Sequence, residues 1–396
     1  MKMTTPQKLD FTNTEIAFTQ KSDQELKNTY RMFKLMNNPR LVSVLSVLGL
    51  WAVKLKLPLH ETMVKQTIFK IFCGGETLLE SQALIDQLGQ HQVSAALDYG
   101  AEGKSDDEDL DAVLQEVLNG IRFAASNDTV PVVITKITAL APNIILKKMQ
   151  SGAVLTPAEE ISRQKLLSRL EQLGSLAEEL DVRIFVDAEE TWMQDAIDQL
   201  VYDMMREYNQ KSATIYGTFQ LYRVDGMELL QTAYEAAQSH GYTLGAKIVR
   251  GAYMENERSH AKAKGIVSPI HATKAATDDC YNDAVRFCLN HYEDLASCTA
   301  THNIDSNLLM AKLIGAKSIA NNHPHLNFCQ LLGMSDYVTY NLAASGYNVA
   351  KYLVYGPVSE VVPYLIRRAQ ENTSVTGEMS RELSLIKKEI ARRKLH

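Results

Sequence analysis

Long hydrophobic runs are scarce in this chain. The most apolar stretch, Leu41–Val53, has 13 residues. That is short of the roughly 20 a membrane-spanning helix needs, and it reads as a core helix. Cysteine is sparse as well. The five, Cys73, Cys280, Cys288, Cys298 and Cys329, are odd in number and show no Cys-x-x-Cys spacing. This argues against a disulfide framework or a thiolate zinc site, and suits reduced thiols in a reducing compartment. Basic charge is not in excess: the net charge is -6, which leaves no global footprint for nucleic acid. The opening MKMTTPQKLDF lacks the apolar stretch of a signal peptide. No Gly-x-Gly-x-x-Gly turn, P-loop or Gly-x-Ser-x-Gly elbow occurs, so a dinucleotide fold, a Walker-type nucleotidase and a serine hydrolase all lose their signatures. His323-x-His325 has no nearby carboxylate pair, and no metal site is expected.

What is present is a globular composition. The chain has 396 residues, 45% hydrophobic and 22% charged, enough to bury a large core without disulfides or metal. Its patterning divides three ways. Residues 1–90 read as an N-terminal helical arm. Asp23 is the expected cap of a helix from Gln24. Helical apolar spacing follows at Leu41, Val44, Leu45 and Leu48, then at Met63, Val64, Ile68 and Ile71, with breaks near Pro58 and Gly74-Gly75.

From 91 to 377, short β-rich runs alternate with helices. Strands are expected at Val93–Asp98, Pro131–Thr138, Arg183–Ala188, Thr214–Gln220, Ala246–Gly251, Cys298–His302, Ala316–Ala320 and Ala350–Tyr355. Helices are expected at Leu110–Ala125, Ala158–Leu180, Trp192–Tyr208, Met227–His240 and Ile304–Ile314. Such alternation implies a parallel sheet, because parallel strands need long crossovers. Eight units suggest a closed (β/α)8 barrel, with an open doubly wound sheet as the alternative. Residues 378–396, with Lys387, Lys388, Arg392, Arg393 and Lys394, read as a basic amphipathic C-terminal helix.

In a barrel the chemistry lies at the C-terminal ends of the strands. Polar residues fall there one strand after another: Lys136, Asp187 with Glu189, Gln220 with Arg223, Lys247 with Arg250 and Tyr253, Thr301 with His302, and Tyr352 ahead of Arg367-Arg368. Any one of them alone reads as a rim residue. Their conjunction points to a ligand site, since buried charge is costly unless paired or facing a ligand. The cations Lys136, Lys247, Arg250, Arg367 and Arg368 outnumber Asp187 and Glu189. A net positive pocket suits an anionic ligand, whether phosphate, carboxylate or both.

The segments VDAEET, KIVRGAY, ATHN, QLLGM and Tyr-x-x-Tyr-Gly-Pro followed by YLIRRAQEN occur in that order. Together they resemble proline dehydrogenase, from about Phe72 to Gly377, and the single-function type more than the fusion with an aldehyde dehydrogenase. The resemblance implies a distorted (β/α)8 TIM-like barrel and non-covalent FAD. It implies oxidation of L-proline to Δ1-pyrroline-5-carboxylate, with hydride passing from C5 to flavin N5 and electrons going on to a membrane quinone, as the first step of proline catabolism.

By the same resemblance, Arg367 and Arg368 grip the substrate carboxylate. Lys136 lies by the substrate and pairs with Asp187. Tyr352 covers the proline ring, Tyr253 touches substrate and flavin, and Leu332 is an apolar wall. Glu76 is a gate that pairs with an arginine. Gln220, Lys247, Val249, Arg250, Gly251, Thr301 and His302 match flavin contacts. Lys247 stands where the fusion enzymes carry arginine, so the cation survives and the bidentate fork does not. Met254 replaces a tryptophan of those enzymes. No residue stands out as the general base.

The bulk of Tyr352 implies proline over 4-hydroxyproline. The alternatives are a 4-hydroxyproline dehydrogenase, a flavin-free barrel enzyme acting on another anionic small molecule, and a non-enzymatic barrel scaffold. The expected location is the bacterial cytoplasm. The basic tail and Leu41–Val53 are the candidates for peripheral contact with the inner membrane face.

Overall fold

The computed structural model describes residues 8–36, 64–100, 106–374 and 378–395. The Leu41–Val53 segment and the expected break near Pro58 lie outside them. Nine strands are described: β1 (Cys73–Gly75), β2 (Ser94–Tyr99), β3 (Val132–Thr135), β4 (Arg183–Val186), β5 (Ile215–Gln220), β6 (Leu244–Val249), β7 (Leu295–Ala300), β8 (Leu326–Leu331) and β9 (Val349–Tyr355). The hydrogen-bonded order is β1-β9-β2-β3-β4-β5-β6-β7-β8, with a further pairing of β9 to β8 that closes β2 to β9 on themselves. Helices separate successive strands from β2 onward. This is the (β/α)8 barrel that the alternation of runs implies, with β1 as an added parallel neighbour of β9.

Seven of the expected strands appear within a few residues of their expected ends. The exception is Ala316–Ala320. There the helix Ile304–Ala316 closes in a C-terminal turn, with Ser318 at a left-handed φ of 55° and the Ile319 N–H donating to Ile314 O. Those residues are mostly exposed, and the missing strand is instead β8, whose Leu326, Phe328, Cys329 and Gln330 are buried. Gly74-Gly75, expected as a plain break, forms β1. The cap of the helix Asp23–Met36 also differs. Ser22 and Glu25 make reciprocal side-chain-to-backbone bonds, so Ser22 opens the helix and Asp23 lies in its first turn.

The described chain falls into two compact units. The second unit comprises Ala96–Thr301 and Asp305–Phe328. Its strands from the end of β2 through β7 are parallel and in register, for example Thr218 opposite Lys247 and Lys247 opposite Cys298. The rings of Phe185 and Tyr216 meet at 4.9 Å. Tyr216 is accommodated because its neighbour is Gly245, where a Cβ would fall 2.2 Å from Ile215 O. The long helix Pro157–Glu179 starts with a Thr156–Glu159 capping box and proline in its first turn. Its buried Arg169 donates to Leu140 O and Asp111, tying the helix to its neighbours.

The first unit comprises the described parts of Met1–Ala95, His302–Ile304 and Cys329–His396. Here the basic tail does structural work. The helix Glu378–Arg392 packs against Asp23–Met36 and the short helix Thr14–Ala17. Arg393 donates to Phe18 O at 2.8 Å and Lys21 O at 2.7 Å, and pairs with Asp23. Arg392 and Arg393 both bond the buried carboxylate of Glu389. Much of the basic charge is thus engaged by the N-terminal helices.

Candidate active site

The expected site residues group separately in the two units. In the second unit the ends of β4 and β6 carry Asp187 and Lys247, and the structure joins them in a hydrogen-bonded ion pair. The Lys247 side chain is 6% exposed and that of Asp187 15%. A lysine so deep is stable as a cation only with a partner, and here the partner sits on the neighbouring motif. Lys247 also lies 5.9 Å from the Phe185 ring centroid.

Glu189, two residues beyond Asp187, takes a different direction. Its carboxylate accepts from the Thr138 hydroxyl at 2.6 Å and the Thr138 N–H at 3.3 Å. Its backbone carbonyl accepts from Gln220 Nε2 at 2.7 Å. Burial pushes the Glu189 carboxyl up to about 7, against the pull of the Thr138 bonds and the nearby charge of Lys136. Lys136, half-buried just past β3, therefore lies within the electrostatic reach of Glu189, while Asp187 bonds Lys247.

Arg250 follows β6 and is held on three sides. Nε donates to Asp278 at 2.7 Å, Nη1 to Thr301 Oγ1 at 2.7 Å and Nη2 to Ser306 Oγ at 3.0 Å. Its guanidinium also lies 4.3 Å from the Tyr281 ring centroid. Asp278 and Ser306 are absent from the sequence reading, since no local pattern links them to Arg250. The pairing changes the charge expectation too: Lys247 and Arg250 each meet a carboxylate, so the positive excess within this unit is smaller than the raw count suggests. Val249 and Tyr253 flank this turn, both half-buried, with Gly251 between them at a φ of 135°. A Cβ at Gly251 would fall 2.5 Å from the Tyr222 ring, so only glycine fits.

In the first unit, Leu332 and Tyr352 come together. The Leu332 N–H donates to Tyr352 O at 3.0 Å, and both side chains are buried. Arg367 and Arg368 are half-buried on the helix Val358–Ser374, and the Arg368 guanidinium lies 5.3 Å from the Tyr364 ring centroid. Adjacent helical residues point about 100° apart, so the two forks serve different directions. His302 Nδ1 lies 3.0 Å from Ser335 Oγ. Glu76 is ion-paired with Lys65, which also approaches Glu80 at 3.6 Å; the expected arginine partner is a lysine here. Among the described residues no group of three His, Cys, Asp or Glu is placed to hold a metal ion.

A parallel barrel with charged strand ends is an enzyme architecture. Its family comes from comparison. A family profile described as proline dehydrogenase matches residues 81–381. The carbapenem antibiotics biosynthesis protein CarD of Pectobacterium carotovorum is 33% identical over 346 residues, 87% of this chain and 90% of that protein. The mitochondrial proline dehydrogenase 1 of Dictyostelium discoideum is 32% identical over 439 residues, 98% of this chain and 75% of that protein. Among solved structures, proline utilization A of Bdellovibrio bacteriovorus, inactivated by N-propargylglycine, is similar with a TM-score of 0.73 at 20% identity, over 93% of this chain and 39% of that one. The last likeness concerns the fold alone. The chain belongs to the proline dehydrogenase family, a family of oxidoreductases.

Proposed function

We propose that this chain is a flavoenzyme that oxidises L-proline to Δ1-pyrroline-5-carboxylate with non-covalently held FAD and passes the electrons to a quinone. The observation that carries the reading is the buried Asp187–Lys247 pair, which joins the VDAEET and KIVRGAY motifs. The second unit also fits a large polar ligand by its donors. Lys247, Arg250, Gln220 and Thr301 supply cations and hydrogen-bonding groups within it, and Gly251 leaves its backbone bare of side chain. Beside Gly251, the buried hydroxyl of Tyr222 has no hydrogen-bond partner among the described residues, a group that a polar ligand would complete.

Bound there, a flavin supplies the acceptor for the hydride leaving proline C5. The chain's own residues do the rest. Arg367 and Arg368 bind the carboxylate as planar forks. Tyr352 and Leu332 cover the ring, exclude water and fix its orientation. Lys247 would hold a cation beside a bound flavin, where it would favour acceptance of negative charge, with Asp187 holding the ammonium in place. The substrate amine is neutral when C5 gives up its hydride, so a proton leaves before or during the transfer. Quinone as acceptor implies peripheral contact with a membrane. No helix among the described residues is long and apolar enough to cross one.

An absorption spectrum taken before and after anaerobic addition of L-proline tests the reading. Oxidised-flavin bands that bleach with proline support cofactor and substrate together. Bands that proline leaves unchanged overturn the substrate, and protein that stays colourless after incubation with FAD overturns the cofactor.

Tyr352 sets the substrate preference in this reading. A phenol over the ring crowds a 4-hydroxyl group. Tyr352→Ser is expected to shift the ratio of kcat/KM values toward 4-hydroxyproline by roughly tenfold or more, the scale of a steric contact of one small group. Assays of both substrates with a dye acceptor check this; an unmoved ratio removes the steric argument.

A further inference from the structure

The turn after β8 is built from parts far apart in sequence. The helix Asp336–Ala344 begins at Ser335, which has a left-handed φ of 52° and whose side chain makes no cap bond. A serine at this place ordinarily turns its hydroxyl toward the N–H groups of the first helical turn. Here the hydroxyl lies against His302 Nδ1 at 3.0 Å. The backbone at the start of the helix is held by Glu382 on the C-terminal helix. Its Oε2 accepts from the Ser335 N–H at 2.9 Å and its Oε1 from the Asp336 N–H at 3.4 Å.

The other side of the turn is equally fixed. Lys351 Nζ donates to Met334 O at 2.6 Å and Leu331 O at 3.4 Å, and pairs with Asp336 at 2.9 Å. Asp336 also meets Lys21 at 3.2 Å and Gln20 at 3.3 Å. Ser335, Lys351 and Glu382 are 2%, 1% and 6% exposed. Burying a carboxylate is costly unless it is bonded, and here it fixes a serine backbone held in the left-handed conformation with its hydroxyl against the histidine.

We propose that Glu382 is a positioning residue for His302. By bonding the Ser335 and Asp336 N–H groups, it fixes the backbone that carries the Ser335 hydroxyl against His302 Nδ1 and so sets the orientation of the imidazole. The consequence for the cofactor rests on the reading of His302 as a flavin contact.

Two variants separate the links. Ser335→Gly removes the hydroxyl at a position where glycine adopts the left-handed conformation freely, so the fold is retained. Glu382→Gln keeps the volume but turns an N–H2 group toward one of the two N–H donors. The first readout is the titration of the His302 imidazole by nitrogen NMR of histidine-labelled holoenzyme, with its signal assigned by its loss in His302→Gln. Both variants are expected to move this titration by about half a pH unit or more, the scale of one hydrogen bond made to one protonation state. The second readout is FAD affinity, measured by titrating flavin-stripped protein, and is expected to fall roughly five- to tenfold with the loss of a positioned contact.

A His302 titration unchanged in either folded variant overturns the proposal. If Glu382→Gln does not fold, Ser335→Gly still tests the serine–histidine link, and an unchanged titration there alone overturns it. If the titration moves while His302→Gln binds FAD as tightly as the parent, the positioning arm stands and the flavin role of His302 falls.

Discussion

Replacing Arg367 or Arg368 with methionine is expected to raise the KM for proline by roughly 10- to 100-fold in each case, the scale of a lost charge-assisted hydrogen bond to a carboxylate. Methionine keeps the length and apolar body of the stem, so the helix Val358–Ser374 should remain folded and only the fork is lost. The effect should fall mainly on KM, because the carboxylate is held equally in the ground state and the transition state. Arg368 has a further role in the first unit, where its guanidinium covers the Tyr364 ring at 5.3 Å. Arg368→Lys should therefore be only partly tolerated: charge is kept, while the stack and the fork are lost. Steady-state kinetics over a wide proline range would show this. Near-parental KM in both methionine variants would remove the carboxylate assignment.

The second large effect concerns the buried pair. Asp187→Ala leaves the Lys247 ammonium without its carboxylate at a site where that side chain is 6% exposed. Breaking a buried pair from one side costs about 3–5 kcal/mol, so the variant should show a markedly lower Tm and poor flavin retention. The double variant Asp187→Ala with Lys247→Met removes the stranded charge. It should recover most of the lost stability while flavin retention stays low. Tm and flavin content measured on all four forms of the cycle decide the matter. A double variant as unstable as Asp187→Ala alone would mean that the aspartate acts through packing and not through charge. A double variant with full flavin content would mean that neither residue matters to the cofactor.

The barrel was legible where its strands carry runs of β-branched and apolar residues, as in Val132–Thr135 and Ile215–Gln220. It was illegible at β8, where asparagine and glutamine interrupt the alternation of LNFCQL. The neighbouring Ser318-Ile319-Ala320, the tail of a helix, looked more strand-like in composition. For the site, residue types at the strand ends could be read from the motifs, and their partners could not. Arg250 and Asp278 are separated by 28 positions, and Glu382 and Ser335 by 47. Such pairings are made by packing and leave no periodic trace. One signal was available and went unread: a lysine in the middle of the apolar run VAKYLVY is costly unless it is bonded, and Lys351 is 1% exposed with carbonyls and Asp336 as partners.

The hold of Arg393 on Phe18 O and Lys21 O spans 375 and 372 positions. This has a consequence for the order of synthesis on the ribosome. Residues 8–36 are translated well before the helix that pins them. For that interval the helix Asp23–Met36 lacks the packing of the tail helix and is open to wrong partners. Synthesis that halts before residue 378 should leave a second unit able to form its strands and a first unit that stays incomplete, exposed to proteases and chaperones.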